Sequence, residues 1–439
     1  MAKTKPIKFD ELRRRLVSRV ERLSEHRKGK NISYSLQEVV LSAFSVFYMQ
    51  SASFLAHQKL VEKQKGNNNL RTLFGVEKMP SDPQIRNLLD PIAPEQIDDV
   101  FGDIVELLAD RGHLDAYRTF DRQLLCALDG TRYFDSQTLH CVNCWQRSAS
   151  NGVTTYAHYA VLPVLAKPGK REVLALAPAF IRPQDGQEKQ DCEINAAKRW
   201  LQQQGPRYAS WTMTLLGDDL YCHQPFCDAA LAAGFNFILV CKPESHETLY
   251  GWLAAIDQRG GIASISERVW NGRHGEIWRY QFLNELPLRL GEDALLVNWC
   301  DLRVVHEETG EQLYHNSFAT NHLLTADSVK PIAQAGRARW KVENEGNNVL
   351  KTKGYHLEHN FGHGQTYLAM TLLMLNLLAF LFHTVLELAN DKYRLLRQEL
   401  AARYRFFNDL QALTRYLTFD SWDDLMDFML AGLELSLPP

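Results

Sequence analysis

Apolar residues recur at three- and four-residue spacing over Phe9–Arg22 and again over Leu36–Phe54, a period that predicts two amphipathic helices. Ser81-Asp82-Pro83 has the form of a helix start, with Pro in the first turn. From Leu124 onward the pattern changes to short apolar runs. Leu124–Leu128 predicts a strand that stops at the turn pair Asp129-Gly130. Tyr156–Ala166 and Val173–Ile181 predict two more strands, separated by the turn Lys167-Pro168-Gly169. Cys192–Gln203 predicts a helix, and Trp211–Gly217 a strand that stops at Asp218-Asp219. Pro225–Ala233 then predicts a helix closed by Gly234, and Phe235–Cys241 a further strand.

Residues 245–322 break this rhythm. After a short helix, Val269-Trp270, Gly275–Phe282, Leu295–Val305 and Leu313–Thr320 predict strands. Helical periodicity resumes at Thr325, as an N-cap, and runs through Lys353. An apolar helix at 367–388 and two or more amphipathic helices follow. The expected organisation is a helical region 1–117, an α/β core in two parts (118–244 and 323–390), a β-rich insertion at 245–322 and C-terminal helices at 391–439. A length of 439 residues suits such a multi-part chain.

Tyr367–Val385 contains no Asp, Glu, Lys or Arg, and about twenty apolar residues are enough to cross a bilayer. Asn376 and His383 interrupt the stretch and no basic cluster flanks it, so a buried core helix is expected and no membrane partner. The N-terminus has no secretory pattern, which leaves the cytoplasm as the expected location and the eight cysteines reduced. A net charge of −3 argues mildly against nucleic-acid binding. Residues 1–30 nevertheless hold eleven Lys or Arg, among them Arg13, Arg14 and Arg15, against four acids. A segment this basic reads equally as a phosphate-contacting arm or as a solvated helix face.

Three acids stand out by position. Asp129 and Asp218 each end a predicted strand, where the backbone is fixed and the side chain is free to face a cleft. Asp218 and Asp219 point opposite ways on an extended segment, and Asp218, directly after Leu215-Leu216-Gly217, is the one expected to face the site. Asp219 is then free to cap the next helix. On the late helix Arg339, Glu343 and Asn347 recur every four residues and share a face, with Lys351 two turns beyond Glu343. Taken one at a time, an Asp-Gly turn and a surface Arg–Glu pair explain these residues as well.

The element order, three strands, helix, strand, helix, strand and a later helix, resembles the ribonuclease-H-like fold. The blocks Ala127-Leu128-Asp129-Gly130-Thr131, Leu216-Gly217-Asp218-Asp219-Leu220-Tyr221 and Arg339-Trp340-Lys341-Val342-Glu343-Asn344 resemble the three acidic blocks of DDE-type insertion-sequence transposases. Lys189-Gln190-Asp191-Cys192-Glu193 and Gly354-Tyr355-His356-Leu357-Glu358-His359 extend the likeness. Gly336 stands where that family often has Tyr, and Lys351 comes one residue late. The resemblance implies that Asp129, Asp218 and Glu343 hold two Mg2+ or Mn2+ ions for phosphodiester chemistry. It implies double-stranded DNA as partner, both terminal inverted repeats and target, bound by a homodimer. Arg339, Lys341, Lys351 and Lys353 would then be DNA contacts. Trp270, beside Asn271-Gly272, is the tryptophan of the insertion expected to be exposed for stacking on a base, with Trp278 and Trp299 as core. A related nuclease without strand transfer and a domesticated, non-catalytic DNA-binding protein are the alternatives.

Cys141 and Cys144 have the Cys-x-x-Cys spacing of a structural zinc site. No second such pair exists, and Cys192, His158 and His140 are the candidates to complete it, against a reading of both as ordinary thiols. His356, His359 and His363 also have ligand-like spacing, but Gly362 and Gly364 make that stretch a loop, suited to capping or DNA contact.

Overall fold

The computed structural model describes residues 4–28, 32–61, 68–183 and 191–437; Lys3 and Lys30 of the basic segment, and Lys189 and Gln190, lie outside the described residues. Helices α1 (Phe9–Val20), α2 (Leu36–Tyr48), α3 (Phe54–Val61), α4 (Asp82–Leu89) and α5 (Asp99–Asp110) precede the first strand. Phe9, Leu12, Leu16 and Val20 line the buried stripe of α1, the three- and four-residue period of the sequence. The helix predicted over Leu36–Phe54 ends at Tyr48, and α3 starts only at Phe54. Gln50 adopts a left-handed φ of 50° and Ser51 N–H closes onto the Val46 carbonyl at 2.9 Å, so the chain turns between α2 and α3 although the apolar pattern continues.

The basic N-terminal segment is not a free arm where it is described. Lys8 pairs with Asp423, Arg13 with Asp10, and Arg27 with Glu25. Arg19 lies 2.8 Å from both Asp99 and Asp103, and Arg207 joins the same carboxylates, so part of the charge is spent docking α1.

The central elements are β1 (Leu124–Ala127), β2 (Gly130–Ser136), β3 (Trp145–Ser148), β4 (Thr154–Val161), β5 (Val164–Ala166), β6 (Leu174–Ala175), β7 (Ala179–Ile181), α6 (Glu193–Tyr208), β8 (Met213–Gly217), α7 (Gln224–Ala232) and β9 (Asn236–Val240). They are followed by α8 (Glu247–Asp257), β10 (Ala263–Trp270), β11 (Gly275–Pro287), β12 (Leu296–His306), β13 (Gln312–Thr320), α9 (Val329–Arg337), α10 (Asn348–Thr352), α11 (Leu368–Ala389), α12 (Asp391–Glu399), α13 (Arg403–Tyr416) and α14 (Trp422–Gly432). The protein is a mixed α/β chain with helical N- and C-terminal regions.

A nine-stranded sheet has the order β10-β11-β12-β13-β9-β8-β1-β5-β6. Within it β1, β8 and β9 are parallel, and β5 runs antiparallel to both β1 and β6. The β-rich segment is therefore not a separate sheet: β13 pairs antiparallel with β9, Phe318 opposite Val240, and carries β12, β11 and β10 outward. A second sheet has the order β2-β4-β3, with β7 pairing β4 over Tyr159–Val161, beyond the end of β3. The strands predicted over Tyr156–Ala166 and Val173–Ile181 each split between the two sheets. Pro163 stands between β4 and β5 and Pro178 between β6 and β7, and a residue without an N–H suits a strand break.

The apolar 367–388 stretch is α11, almost wholly buried and packed on α2, as expected for a core helix. Its N-terminus is capped by Asp90, whose Oδ1 accepts the N–H groups of Thr366, Tyr367 and Leu368 at 3.0 to 3.1 Å.

Candidate active site and metal centre

Strands β1 and β8 are parallel neighbours with Ala127 opposite Leu216, so Asp129 and Asp218 each lie two residues past one matched pair. Leu128 N–H binding the Leu216 carbonyl at 2.8 Å continues the register toward them. Parallel strands sit about 4.8 Å apart, which brings both acids out at the same sheet edge. Burial first, then the charges of Glu343 and Glu193, raises the Asp129 carboxyl to about 7; Arg339 opposes this and Asp218 adds to it. Three neighbouring acids thus act on the Asp129 carboxyl.

Asp218 and Asp219 do diverge, but their local roles are reversed. Asp218 Oδ1 accepts Leu220 N–H at 3.0 Å and caps the following turn, while Asp219 Oδ1 accepts Lys242 N–H at 2.7 Å and lies 3.4 Å from His246 Nε2. Asp218 is the one that acts on the Asp129 carboxyl.

The helix predicted from Thr325 through Lys353 is interrupted. After α9 the chain turns, Val342–Asn347 forms a π-helical stretch, and α10 follows. Such stretches widen the backbone ladder and often occur at functional sites. Asn347 Nδ2 donates to Asp129 Oδ2 at 2.8 Å, and Arg339 Nη1 lies 2.6 Å from Glu343 Oε1. Among the described residues, two groups of His, Cys, Asp or Glu have ligand atoms that all lie within 4.8 Å of one another, and the triad Asp129, Asp218 and Glu343 is not one of them. In this arrangement Glu343 is held by its arginine.

Glu193 is a fourth acid that sequence pattern alone does not single out. Its Oε1 accepts Gly130 N–H at 3.0 Å and the Tyr221 hydroxyl at 2.7 Å. A Cβ on Gly130 would lie 2.1 Å from Glu193 Oε2, so only glycine allows that approach. Burial raises the Glu193 carboxyl, with the Tyr221 bond opposing and the Asp218 charge adding. Its signal in the sequence is the pair of a glycine after Asp129 and a glutamate opening a helix.

The cations expected on the late helix are mostly engaged. Lys341 is buried with its ammonium 4.7 Å over the Trp340 ring, and Lys351 Nζ lies 2.9 Å from Glu358 Oε1. Lys353 is exposed, as is Arg14; Arg13 and Arg15 are half-buried. Trp270 is 66% exposed at the end of β10, whereas Trp299 is buried and Trp278 half-buried.

Both groups with ligand atoms in mutual reach contain cysteine. Cys222, Cys241 and His246 are buried behind Asp219. Cys141 and Cys144 meet His158 and His363, while Cys192, expected as a partner, is exposed at the N-cap of α6 and is not among them. His140 stacks on Tyr156 instead, and His359 packs against Phe361. The chain matches no protein-family model and no curated protein in sequence.

Proposed function

We propose that this chain is a DDE-type DNA transposase with a ribonuclease-H-like core formed by β6-β5-β1-β8-β9, the second strand in sequence order running against the others. The observation that carries the reading is the matched exit of Asp129 and Asp218 from neighbouring parallel strands, with the Glu343-bearing turn tied to Asp129 through Asn347. Strand order and direction, the late position of Glu343 and the resemblance of the three acidic blocks support it together.

Asp129, Asp218 and Glu343 would hold two Mg2+ or Mn2+ ions; burial, with the neighbouring acids adding to it, raises the Asp129 carboxyl despite Arg339. Bound there, such ions supply activation of a water or hydroxyl and stabilisation of the leaving alkoxide. The chain's own part is positioning. The strand ends fix Asp129 and Asp218, Asn347 orients Asp129, and Glu343 has to leave Arg339 to join them. Freed of Glu343, Arg339 is placed to pair with a DNA phosphate. Trp270 presents a largely exposed ring at the outer end of the sheet, suited to stacking on an unpaired base. The substrate would be double-stranded DNA, terminal repeats and target, held by a homodimer.

The test is cleavage of DNA carrying the flanking terminal repeats, with Mg2+ or Mn2+ and with chelator. Cleavage is expected only with metal, and is expected to vanish in Asp129→Ala, Asp218→Ala and Glu343→Ala. Persistence in any of them would remove the mechanism. Joining of the cut ends to a second duplex separates transposition from plain nuclease action.

A further inference from the structure

Cys144 Sγ lies 3.9 Å from Cys141 Sγ and 3.4 Å from both His158 Nε2 and His363 Nε2. Cys141 Sγ is 3.5 Å from His158 Nε2, and the two imidazole Nε2 atoms are 3.2 Å apart. Zinc bonds of about 2.3 Å to sulfur and about 2.05 Å to nitrogen set the edges of a tetrahedron at roughly 3.8 Å for S···S, roughly 3.6 Å for S···N and roughly 3.3 Å for N···N. The five separations match those edges type by type. A disulfide is excluded, because bonded sulfurs sit about 2.05 Å apart.

We propose that Cys141, Cys144, His158 and His363 bind one zinc ion, which fastens the four-stranded sheet growing out of Asp129 to the chain between α10 and α11. The donor set selects the metal. Two thiolates and two imidazoles in tetrahedral array favour zinc, whereas Mg2+ requires oxygen ligands. Two thiolates also neutralise the ion's charge, which suits a site where Cys144, His158 and His363 are all buried.

The surroundings are built to hold these atoms. His363 Nδ1 lies 3.1 Å from the Gly364 carbonyl; donating there leaves Nε2 as the lone-pair donor to metal. The Cys141 N–H points to Cys144 Sγ at 3.4 Å, a bond that favours a thiolate. Phe134 packs on His363 with ring centroids 4.4 Å apart, and Tyr133 stacks on His158 at 5.6 Å. The two segments also meet beside the cluster, where Asn143 Nδ2 donates to the Thr366 carbonyl at 2.8 Å. Thr366 is in turn held by Asp90. The site stands whether or not DNA is the substrate, since it is defined by metal content alone.

The full-length chain, expressed with zinc and passed through gel filtration, is expected to keep zinc by elemental analysis. Cys144→Ser and His363→Ala are expected to lose about one equivalent relative to wild type. Cobalt loaded in place of zinc is expected to give the intense visible bands of a tetrahedral site with thiolate charge transfer. His363→Cys, which keeps four ligands and protects against loss of fold, is expected to retain metal and strengthen that charge-transfer band. Asp129→Ala is expected to leave the zinc content unchanged, so a failure of the DNA-cleavage reading does not touch this one. A wild-type chain that takes up neither zinc nor cobalt, or a Cys144→Ser chain as rich in zinc as wild type, would overturn the proposal.

Discussion

Asn347 donates its side-chain amide to Asp129, Nδ2 to Oδ2 at 2.8 Å, across 218 positions of sequence. Asn347 is buried and its own Oδ1 has no hydrogen-bond partner among the described residues, where Nδ2 donates to Asp129. Asn347→Ala frees Asp129 to rotate and is expected to weaken metal affinity by about 10- to 100-fold. The check is the cleavage rate across a Mn2+ titration. A half-saturating metal concentration equal to that of wild type would deny Asn347 this positioning role.

The raised Asp129 carboxyl makes stability depend on pH in the absence of metal. The folded group titrates at about 7 against an ordinary 3.8, so between those values the folded state binds more protons than the unfolded one. Stability from this group is therefore highest at low pH and is lost as pH rises through about 4 to about 7. Asp129→Asn is expected to lessen that decline, with burial of Asp98, also raised to about 7, supplying a remaining part, and to be the more stable protein at pH 8, by ~1–2 kcal/mol after allowing for solvent screening. Divalent metal is expected to raise the wild-type melting temperature more at pH 8 than at pH 5. Thermal melts of both proteins across pH, with and without Mg2+, decide the matter.

The packing around Gly336 leaves no place for the Tyr that the sequence resemblance suggests at this position. A Cβ there would lie 2.8 Å from Phe318 and 2.9 Å from Ile238, so α9 sits directly on β13 and β9 with no room for a side chain. Gly336→Ala is expected to cost about 1–3 kcal/mol, and Gly336→Tyr more. Denaturant midpoints measure it; an alanine variant as stable as wild type would contradict this seating of α9.

Trp270 separates binding from folding. Its ring is largely solvated, so Trp270→Ala is expected to change stability by less than about 0.5 kcal/mol. Affinity for DNA with an unpaired base is expected to fall by about 1–3 kcal/mol. Equal affinity of the two proteins would assign the exposed ring no part in DNA contact.

The strands that lead to Asp129 and Asp218 are legible in the sequence because both are fully buried, Leu124–Ala127 as a continuous apolar run and Met213–Gly217 as one interrupted only by Thr214. β2 and β3 escape the same reading, since Thr131-Arg132-Tyr133-Phe134-Asp135 mixes apolar and charged positions and Trp145–Ser148 is mostly exposed. The sheet switch at Pro163 is hidden because the apolar pattern runs straight through it. Glu343 is found by spacing, but the π-helical stretch beneath it is not, as an added backbone residue leaves no mark on composition. The cysteine pair announces itself by spacing and His158 is among the candidates beside it, whereas His363 lies in a stretch expected for capping or DNA contact. Nothing in the local sequence connects Cys144 with His363, which only the docking of Thr366 and Asn143 brings within 3.4 Å.

The bond from Asn347 to Asp129, and the meeting of His363 with Cys144, carry a consequence for synthesis. A ribosome has to deliver the chain past residue 363 before Asp129 and Cys144 can both meet these partners. A stop codon ahead of Asn347 would remove both contacts as completely as one near the first residue, although β1, β5 and β8 would already have been synthesised.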